Sequence, residues 1–321
     1  TRSLCDWSSD VCSSDLGHVL TESNTTHKSV PMLLSPVSAQ NFDSIYYRKS
    51  IITAFKEAGF QTAFFSNQRY NHSFIDFLGM EADTYDFIKE DSQDSQYNPS
   101  DDELLMLVEK ELEKGTRKQF IVLHTYGSHF NYRERYPETA AFFLPDFPVD
   151  AEVKYKDNLM NAYDNSIRYT DNFLARIIHL LKQQQVDASM LYTSDHGEDI
   201  FDDGRHLFLH ASPVPSYYQL HVPLLLWTSD SYREEYPGIE KAASMNRQKN
   251  ISSSISFFQT MMELAGIETP YRNDSLSVTS PLYTEKSRVY LNDHNEPRPL
   301  DDIGMRKEDF EMLKKRGIDA Q

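Results

Sequence analysis

Residues 189–210 read SMLYTSDHGEDIFDDGRHLFLH, and this stretch decides the fold class. A short apolar run, typical of a buried strand, leads directly into Asp195, His196 and Gly197. In open α/β sheets ligands bind beyond the carboxyl ends of the strands, which is where these two polar side chains fall. A carboxylate oxygen and an imidazole nitrogen suit zinc or a similar divalent ion. For a bare Asp-His-Gly, a polar surface turn remains an equally good interpretation.

Short apolar runs alternate with helical patterns along the rest of the chain. Strands are predicted at 61–66, 119–125, 188–194 and 221–227, and helices at 45–58, 100–113, 152–184 and 255–265. This alternation predicts an α/β fold with a mostly parallel sheet flanked by helices on both faces. Residues 89–102 are predicted to be an exposed loop, and the segment after residue 265 is predicted to be rich in loops.

The chain is acidic and almost free of cysteine. Its formal net charge is −17, and its two cysteines are Cys5 and Cys12. Acidic proteins lack the basic surface that displaces counterions from nucleic acids, so no nucleic-acid partner is expected. No run of 18 apolar residues is present, so no membrane-spanning segment is predicted.

The first sixteen residues do not resemble native protein sequence. They have no hydrophobic periodicity and no apolar segment of the kind found in signal peptides. DWSSDVCSSDL (residues 6–16) is identified as a translated sequencing-library adapter. We interpret residues 1–16 as a non-native artefact, and residues 17–321 as one domain whose native upstream part is missing.

Further candidate residues follow other predicted strands. His129 follows the strand at 119–125, and His206 and His210 follow the Asp-His-Gly turn. A single histidine is more often a core or surface residue than a ligand, but several beyond one sheet edge favour a shared site. NTTHKSVP (24–31) is either a helix N-cap segment or the carrier of a nucleophilic threonine, whose pKa zinc coordination would lower.

Taken together, these motifs resemble the catalytic domain of the phosphoethanolamine transferases, which belong to the alkaline phosphatase/sulfatase superfamily. The similarity covers residues 21 to about 264. It rests on the threonine three residues before a Ser-Val-Pro, an Asn-Ala-Tyr-Asp-Asn helix, the Asp-His-Gly-Glu turn, a Leu-His-x-x-Pro segment and a Val-Pro strand. The resemblance implies an alkaline phosphatase/sulfatase-like catalytic domain over residues 17–321.

The resemblance also implies roles for individual residues. Thr26 would be the nucleophile and, with Asp195 and His196, a ligand of one Zn²⁺; a second zinc ion remains open. His129 and His210 would bind the transferred phosphoryl group. His206 competes with His210 for this role, because the loop before His210 is longer than in the family. Glu198 would contact the substrate ammonium or a second metal, although a solvated glutamate explains it equally well.

The implied reaction takes phosphoethanolamine from phosphatidylethanolamine, through a covalent adduct on Thr26, to lipid A or another glycan acceptor. Such enzymes are anchored in the bacterial inner membrane with the catalytic domain in the periplasm. The alternatives are a phosphoglycerol transferase, a phosphate or sulfate ester hydrolase of the same superfamily, and an inactive, metal-poor fragment.

Apart from the longer loop before His210, the chain departs from the family pattern in two places. Glu22 and Met32 stand where the lipid A transferases have cysteines. The family's remaining zinc ligand is a glutamate at the end of a first strand, and we expect no such strand before Thr26. The chain as given is therefore expected to bind zinc poorly and to be inactive.

Overall fold

A computed structural model of the chain describes residues 14–89 and 98–320. Most of the N-terminal artefact and most of the predicted loop at 89–102 lie outside the described residues. The strands are β1 (Ser14–Asp15), β2 (Val19–Leu20), β3 (Gln61–Arg69), β4 (Thr84–Lys89), β5 (Gln119–His124), β6 (Ser189–Thr193), β7 (Asp199–Ile200), β8 (Phe208–Leu209), β9 (Leu224–Thr228), β10 (Ile251–Ser252), β11 (Val289–Leu291) and β12 (Pro297–Pro299).

The α-helices are α1 (Thr26–Leu33), α2 (Ile51–Glu57), α3 (Phe74–Gly79), α4 (Glu103–Leu112), α5 (Lys156–Gln183), α6 (Tyr217–Leu220), α7 (Asp230–Glu235), α8 (Pro237–Asn246), α9 (Ser253–Leu264) and α10 (Lys307–Lys315). Short 3₁₀ helices cover Ala39–Tyr47, Tyr132–Arg135, Glu138–Ala140, Val153–Tyr155, Asp274–Leu276 and Leu300–Asp302. None of the helices in the described part of the chain is long and apolar enough to cross a membrane.

The first of two compact units contains Phe55–Gln185 and Ile200–Phe208. Its sheet is parallel, with strand order β4-β3-β5. The apolar and small residues of β3 make it the buried central strand, and α4 packs on β3 and β5. This unit has the parallel strand-and-helix arrangement that the sequence predicts.

The second unit contains residues 14–54, Val186–Asp199 and Leu209–320. Its three-stranded sheet has the order β1-β9-β6, and both pairings are antiparallel. All five residues of β9 are buried, because this apolar strand lies between two others. In this unit, parallel pairing occurs between β2 and β10. Strand β6 leads into the Asp-His-Gly turn.

A strand of two residues precedes Thr26, and it does not end in a glutamate. Val19 and Leu20 form β2, which pairs with Ile251 and Ser252 of β10. Val19 belongs to an apolar cluster with Leu16, Val222, Leu224, Ile251, Val278 and Tyr283. The sequence did not reveal this strand because two paired residues are too few to form an alternating pattern.

The predicted helix at 45–58 is wrong in its first half. The structure has a 3₁₀ helix that ends at Tyr47, extended backbone at Arg48, and then α2. The side chain of Ser50 accepts a hydrogen bond from Thr53 N at 3.1 Å, which is the geometry of a helix N-cap. The cap starts a new helix at Ile51 and explains the break.

The C-terminal segment is more regular than predicted. Strands β11 and β12 pair antiparallel, and α10 follows them. Leu313 and Ile318 pack in a cluster with Leu20, Tyr217, Leu220, Tyr290, Leu300 and Met305. These short elements are stabilised by packing on distant parts of the chain, which a local pattern does not show.

Candidate active site

Thr26 is the first residue of helix α1. Thr25, just before it, has extended backbone with φ −136° and ψ 128°. The carbonyl oxygen of Thr25 accepts hydrogen bonds from the main-chain N–H groups of Lys28 and Ser29, both at 3.0 Å. The hydroxyl of Thr26 therefore lies at the positive end of a helix, where a phosphate group is bound favourably.

The Asp-His-Gly turn lies where β6 ends, and it is packed tightly against α6. A Cβ atom on Gly197 would lie 2.1 Å from the main-chain oxygen of Tyr218, closer than any real contact. The N–H of Gly197 donates to Gln219 O at 2.9 Å. Only glycine fits here, so the turn holds Asp195 and His196 in one fixed position.

The structure brings Thr26, Asp195 and His196 together. Thr26 Oγ1 lies 3.1 Å from His196 Nε2, and Asp195 Oδ2 lies 3.4 Å from the same nitrogen. Ser29 Oγ donates to Asp195 Oδ2 at 3.2 Å. Ser29 is the serine of the Ser-Val-Pro motif, and its contact with the carboxylate was not predicted. Ser29 follows Thr26 by one helical turn, so the helix period could have predicted that both side chains lie on the same face.

The hydrogen bond of His196 Nδ1 identifies Nε2 as the ring nitrogen whose lone pair faces Thr26. His196 Nδ1 lies 3.0 Å from Gly197 O, and a carbonyl oxygen only accepts, so Nδ1 carries the proton in the neutral ring. Nε2 is then the acceptor. A metal-binding histidine is held in the same way, with its other nitrogen on a backbone carbonyl.

The donor atoms fit zinc in type and spacing. Among the described residues no group of three or more His, Cys, Asp and Glu side chains could hold a metal ion, so a zinc site at Asp195 and His196 would need the hydroxyl of Thr26 as its third donor. Ligand distances near 2.0–2.1 Å in a tetrahedral zinc site place neighbouring donors about 3.3 Å apart. The observed separations from His196 Nε2, 3.1 Å to Thr26 and 3.4 Å to Asp195, lie on either side of this value.

Glu198 and His210 form a pair beside His196. His210 Nδ1 lies 3.1 Å from Glu198 Oε1, and the rings of His196 and His210 are 4.1 Å apart between centroids. Glu198 is buried at 8% exposure. The buried carboxylate thus orients His210, an arrangement the sequence did not indicate.

His129 and His206 lie in the other compact unit. His129 is exposed after β5, with Nδ1 2.6 Å from Phe130 O. The carboxylate of Asp101 accepts from Tyr126 N at 2.8 Å and from Gly127 N at 2.9 Å, and so shapes the loop before His129. His206 is exposed in a turn. The role of His129 in phosphate binding stays a prediction.

Asn24, two residues before Thr26, is the centre of a buried polar network. Its Nδ2 donates to Gln219 Oε1 at 2.6 Å and to Ser212 O at 3.0 Å. Its Oδ1 accepts from Tyr290 OH at 2.7 Å. Gln219 Nε2 also donates to the carboxylate of Asp199. This network joins the segment before the threonine to the segments around the Asp-His-Gly turn and β11.

Glu22 is a buried acid on the same segment. Its Oε2 accepts from Ala39 N at 2.9 Å, and burial raises the pKa of its carboxyl from 4.5 to about 7. Its carboxylate contacts the start of a 3₁₀ helix, and its main-chain oxygen accepts from Leu291 N at 2.8 Å. Glu22 therefore has a structural contact of its own at the position where the resemblance implies a cysteine.

Comparison with known proteins gives consistent results. The Sulfatase family matches residues 17–267. Phosphoethanolamine transferase EptA of Escherichia coli K12 is 36% identical over 157 residues, 47% of this chain and 28% of the relative. The Kdo(2)-lipid A phosphoethanolamine 7''-transferase of the same strain is 32% identical over 178 residues, 53% of this chain and 31% of the relative.

A solved structure extends the similarity to nearly the whole fold. The zinc complex of the C-terminal periplasmic domain of EptC from Escherichia coli matches with a TM-score of 0.80 and 22% identity, covering 91% of this chain and 82% of that one. This match confirms the predicted alkaline phosphatase/sulfatase-like α/β fold. The matched segments cover less than a third of the length of the two transferases compared above.

Proposed function

Because the chain belongs to the sulfatase family, we propose that it is the catalytic domain of a phosphoethanolamine transferase. The observation that carries the proposal is the cluster of Thr26, Asp195 and His196 at the start of α1. The relatives named for phosphoethanolamine transfer support this choice within the family.

The proposed reaction has two half-reactions at one phosphorus atom. Thr26 Oγ1 attacks the phosphorus of phosphatidylethanolamine, the bond to the glycerol oxygen breaks, and diacylglycerol leaves with a proton. An acceptor hydroxyl or phosphate oxygen then attacks the same phosphorus, and the threonine hydroxyl is restored. Splitting one difficult displacement into two easier steps is the advantage of covalent catalysis.

Asp195, His196 and Thr26 are the residues that would hold zinc. When bound, zinc would lower the pKa of the threonine hydroxyl and neutralise charge on the phosphoryl oxygens. His196 presents the unprotonated Nε2 because Nδ1 donates to Gly197 O. Ser29 donates to Asp195 and so orients the carboxylate.

The remaining residues of the cluster would stabilise the phosphoryl group. The first turn of α1 directs main-chain N–H groups toward an anion bound at Thr26. His210, held by Glu198, supplies a further donor on the same side as His196. Fixed donors of this kind stabilise charge that develops in the transition state.

The proposed partners and location follow from the relatives. The donor is phosphatidylethanolamine, and the acceptor is lipid A or another glycan. The enzyme acts at the bacterial inner membrane with this domain in the periplasm, as the names of a lipid A transferase and of a periplasmic domain suggest.

A donor panel distinguishes the proposal from its alternatives. The assay uses the whole transferase that contains this domain, since the chain as given is expected to be inactive. This intact protein is incubated with phosphatidylethanolamine, phosphatidylglycerol, or aryl phosphate and sulfate esters, and released diacylglycerol or aryl alcohol is measured. We expect release from phosphatidylethanolamine and labelling of added lipid A. Release from phosphatidylglycerol alone would identify a phosphoglycerol transferase, and cleavage of the aryl esters alone would identify a hydrolase. If the protein binds no zinc and shows no turnover, the alternative of an inactive, metal-poor fragment is supported.

A further inference from the structure

A loop in the first compact unit exposes three large apolar side chains. This apolar loop (residues 141–148, AFFLPDFP) follows a 3₁₀ helix and precedes α5. Phe142 is 57% exposed, Leu144 69% and Phe147 55%. Scattered exposed apolar residues are ordinary, but three within six positions of one loop concentrate apolar surface in one place, as interaction sites do.

Helix α5 holds the backbone of this loop through three asparagines. Asn165 Oδ1 accepts from the N–H groups of Phe142 and Phe143, both at 2.9 Å, and its Nδ2 donates to Phe143 O at 3.0 Å. Asn161 Nδ2 donates to Pro145 O at 3.0 Å, and Asn158 Nδ2 donates to Phe147 O. The spacing of three and four residues places these amides on one face of the helix.

A second set of contacts fixes the middle of the loop. Asp146 is buried at 7% exposure, and its Oδ2 accepts from Tyr136 OH at 2.7 Å. Arg133 Nε lies 3.5 Å from the same oxygen. Since the polar residue of the loop points inward and the backbone is bonded to α5, the outward position of the apolar side chains is imposed by the fold.

These contacts also assign a structural role to two residues of the Asn-Ala-Tyr-Asp-Asn motif. Asn161 and Asn165 are its first and last residues. In the structure both bind the backbone of the apolar loop. Ordering a loop costs conformational entropy, and this loop is ordered although its apolar side chains remain exposed to water. Such an arrangement is stable only because buried amides compensate for it, and it is useful only if something covers the patch.

We propose that the apolar loop inserts into a lipid bilayer through Phe142, Leu144 and Phe147. Phenylalanine and leucine are the residues with which peripheral proteins enter the boundary between headgroups and acyl chains. The guanidinium of Arg168 lies 4.7 Å from the ring centroid of Phe142, where it would meet lipid phosphates as the ring enters the interface. The choice of lipid rests on the proposed function, since the proposed donor is a membrane phospholipid.

Vesicle binding tests the proposal with matched variants. The 321-residue chain is centrifuged with vesicles of phosphatidylethanolamine and phosphatidylglycerol, and bound protein is measured. The variant F142S/L144S removes two exposed side chains of the loop. The control F77S/M106S removes two side chains of similar exposure, 58% and 62%, from α3 and α4. We expect the loop variant to lose about tenfold in partitioning and the control to keep it.

A fluorescent reporter measures insertion directly. Phe147→Trp places an indole on the loop, and Phe77→Trp places one on α3 as a control. Lipids brominated on their acyl chains should quench the indole of F147W and leave that of F77W unchanged. Because all five altered residues are exposed, thermal unfolding should be nearly the same in every variant, and this is measured alongside.

The vesicle experiments test insertion of the apolar loop independently of the transfer reaction. Loss of binding in both double variants or in neither, or equal quenching of the two reporters, would overturn it. If the wild-type chain self-associates through this loop and ignores vesicles, the patch is an interface between copies and the inference is wrong. Vesicle binding that depends on the loop would support it even if the donor panel gave no transfer.

Discussion

His196 is the residue on which the candidate site depends. Its Nδ1 is occupied by Gly197 O, its Nε2 faces both Thr26 and Asp195, and its ring lies against that of His210. A single imidazole therefore links the proposed nucleophile, a carboxylate and the second histidine.

Zinc analysis separates ligands from phosphate-binding residues. We expect Asp195→Asn and His196→Ala to lose most of the bound zinc, because each removes one of two strong donors. His210→Ala should retain zinc and slow turnover, since His210 is bonded to Glu198 instead. Metal content is measured by mass spectrometry on dialysed protein. Full zinc occupancy in His196→Ala would show that the ligand assignment is wrong.

The buried carboxyl of Glu22 predicts a pH dependence of stability. Its pKa in the folded protein, about 7, is above the usual 4.5, so folding favours the protonated form. Its contribution is fully present below pH 4.5 and is lost as the pH rises through 7, by roughly 3 kcal/mol in total. Glu22→Gln should remove this loss. Urea unfolding between pH 4.5 and 8 measures the free energy of unfolding at each pH. If this free energy falls with pH as steeply in E22Q as in the wild type, the prediction is contradicted.

At the scale of elements, the Asp-His-Gly turn depends on its packing against α6. Gly197→Ala would place a methyl group against a backbone oxygen at 2.1 Å, so the turn must move. We expect a loss of about 3 kcal/mol in unfolding free energy and a fall in zinc content. Gly204→Ala is the control, because nothing lies within 4 Å of its Cβ position. Similar stability of the two variants would show that the turn is not held by α6.

Strand β11 is predicted to position the segment that carries Thr26. Tyr290→Phe leaves Asn24 Oδ1 without its donor, and Tyr232→Phe removes an equally short 2.7 Å bond to Leu264 O. Both should cost about 1–3 kcal/mol of stability. Only Tyr290→Phe should slow diacylglycerol release in a single turnover, by about tenfold, because misplaced nucleophiles react slowly. Equal rates in the two variants would show that Tyr290 does not position the segment that carries Thr26.

The sequence predicts elements well where the signal is local. Strands at β3, β5, β6 and β9 were found because each contains at least three consecutive apolar residues. The start of α2 was missed because Ser50 caps it in the middle of an otherwise helical pattern. Strands of two or three residues, such as β2 and β11, carry no period that could be detected.

At the scale of the whole molecule, long-range contacts limit what the sequence reveals about the site. Asp195 and His196 are adjacent, so the sequence alone could predict a joint role for them. The bonds of Asn24 to Gln219 and to Tyr290 span 195 and 266 residues. No local pattern joins such positions, and β11 lies outside the residues that the Sulfatase family matches. The residue types predicted the chemistry, and only the fold showed which side chains support it.

The central claim is that Thr26 becomes covalently modified by the donor lipid. The direct measurement is peptide mapping by mass spectrometry after the intact zinc-loaded protein is incubated with phosphatidylethanolamine and no acceptor. We predict a phosphoethanolamine group on Thr26 in the wild type and in Thr25→Ala, whose hydroxyl faces Ser23 at 3.2 Å instead. No adduct should form in Thr26→Ala. An adduct that persists in Thr26→Ala, or that maps to another residue in the wild type, would contradict the account.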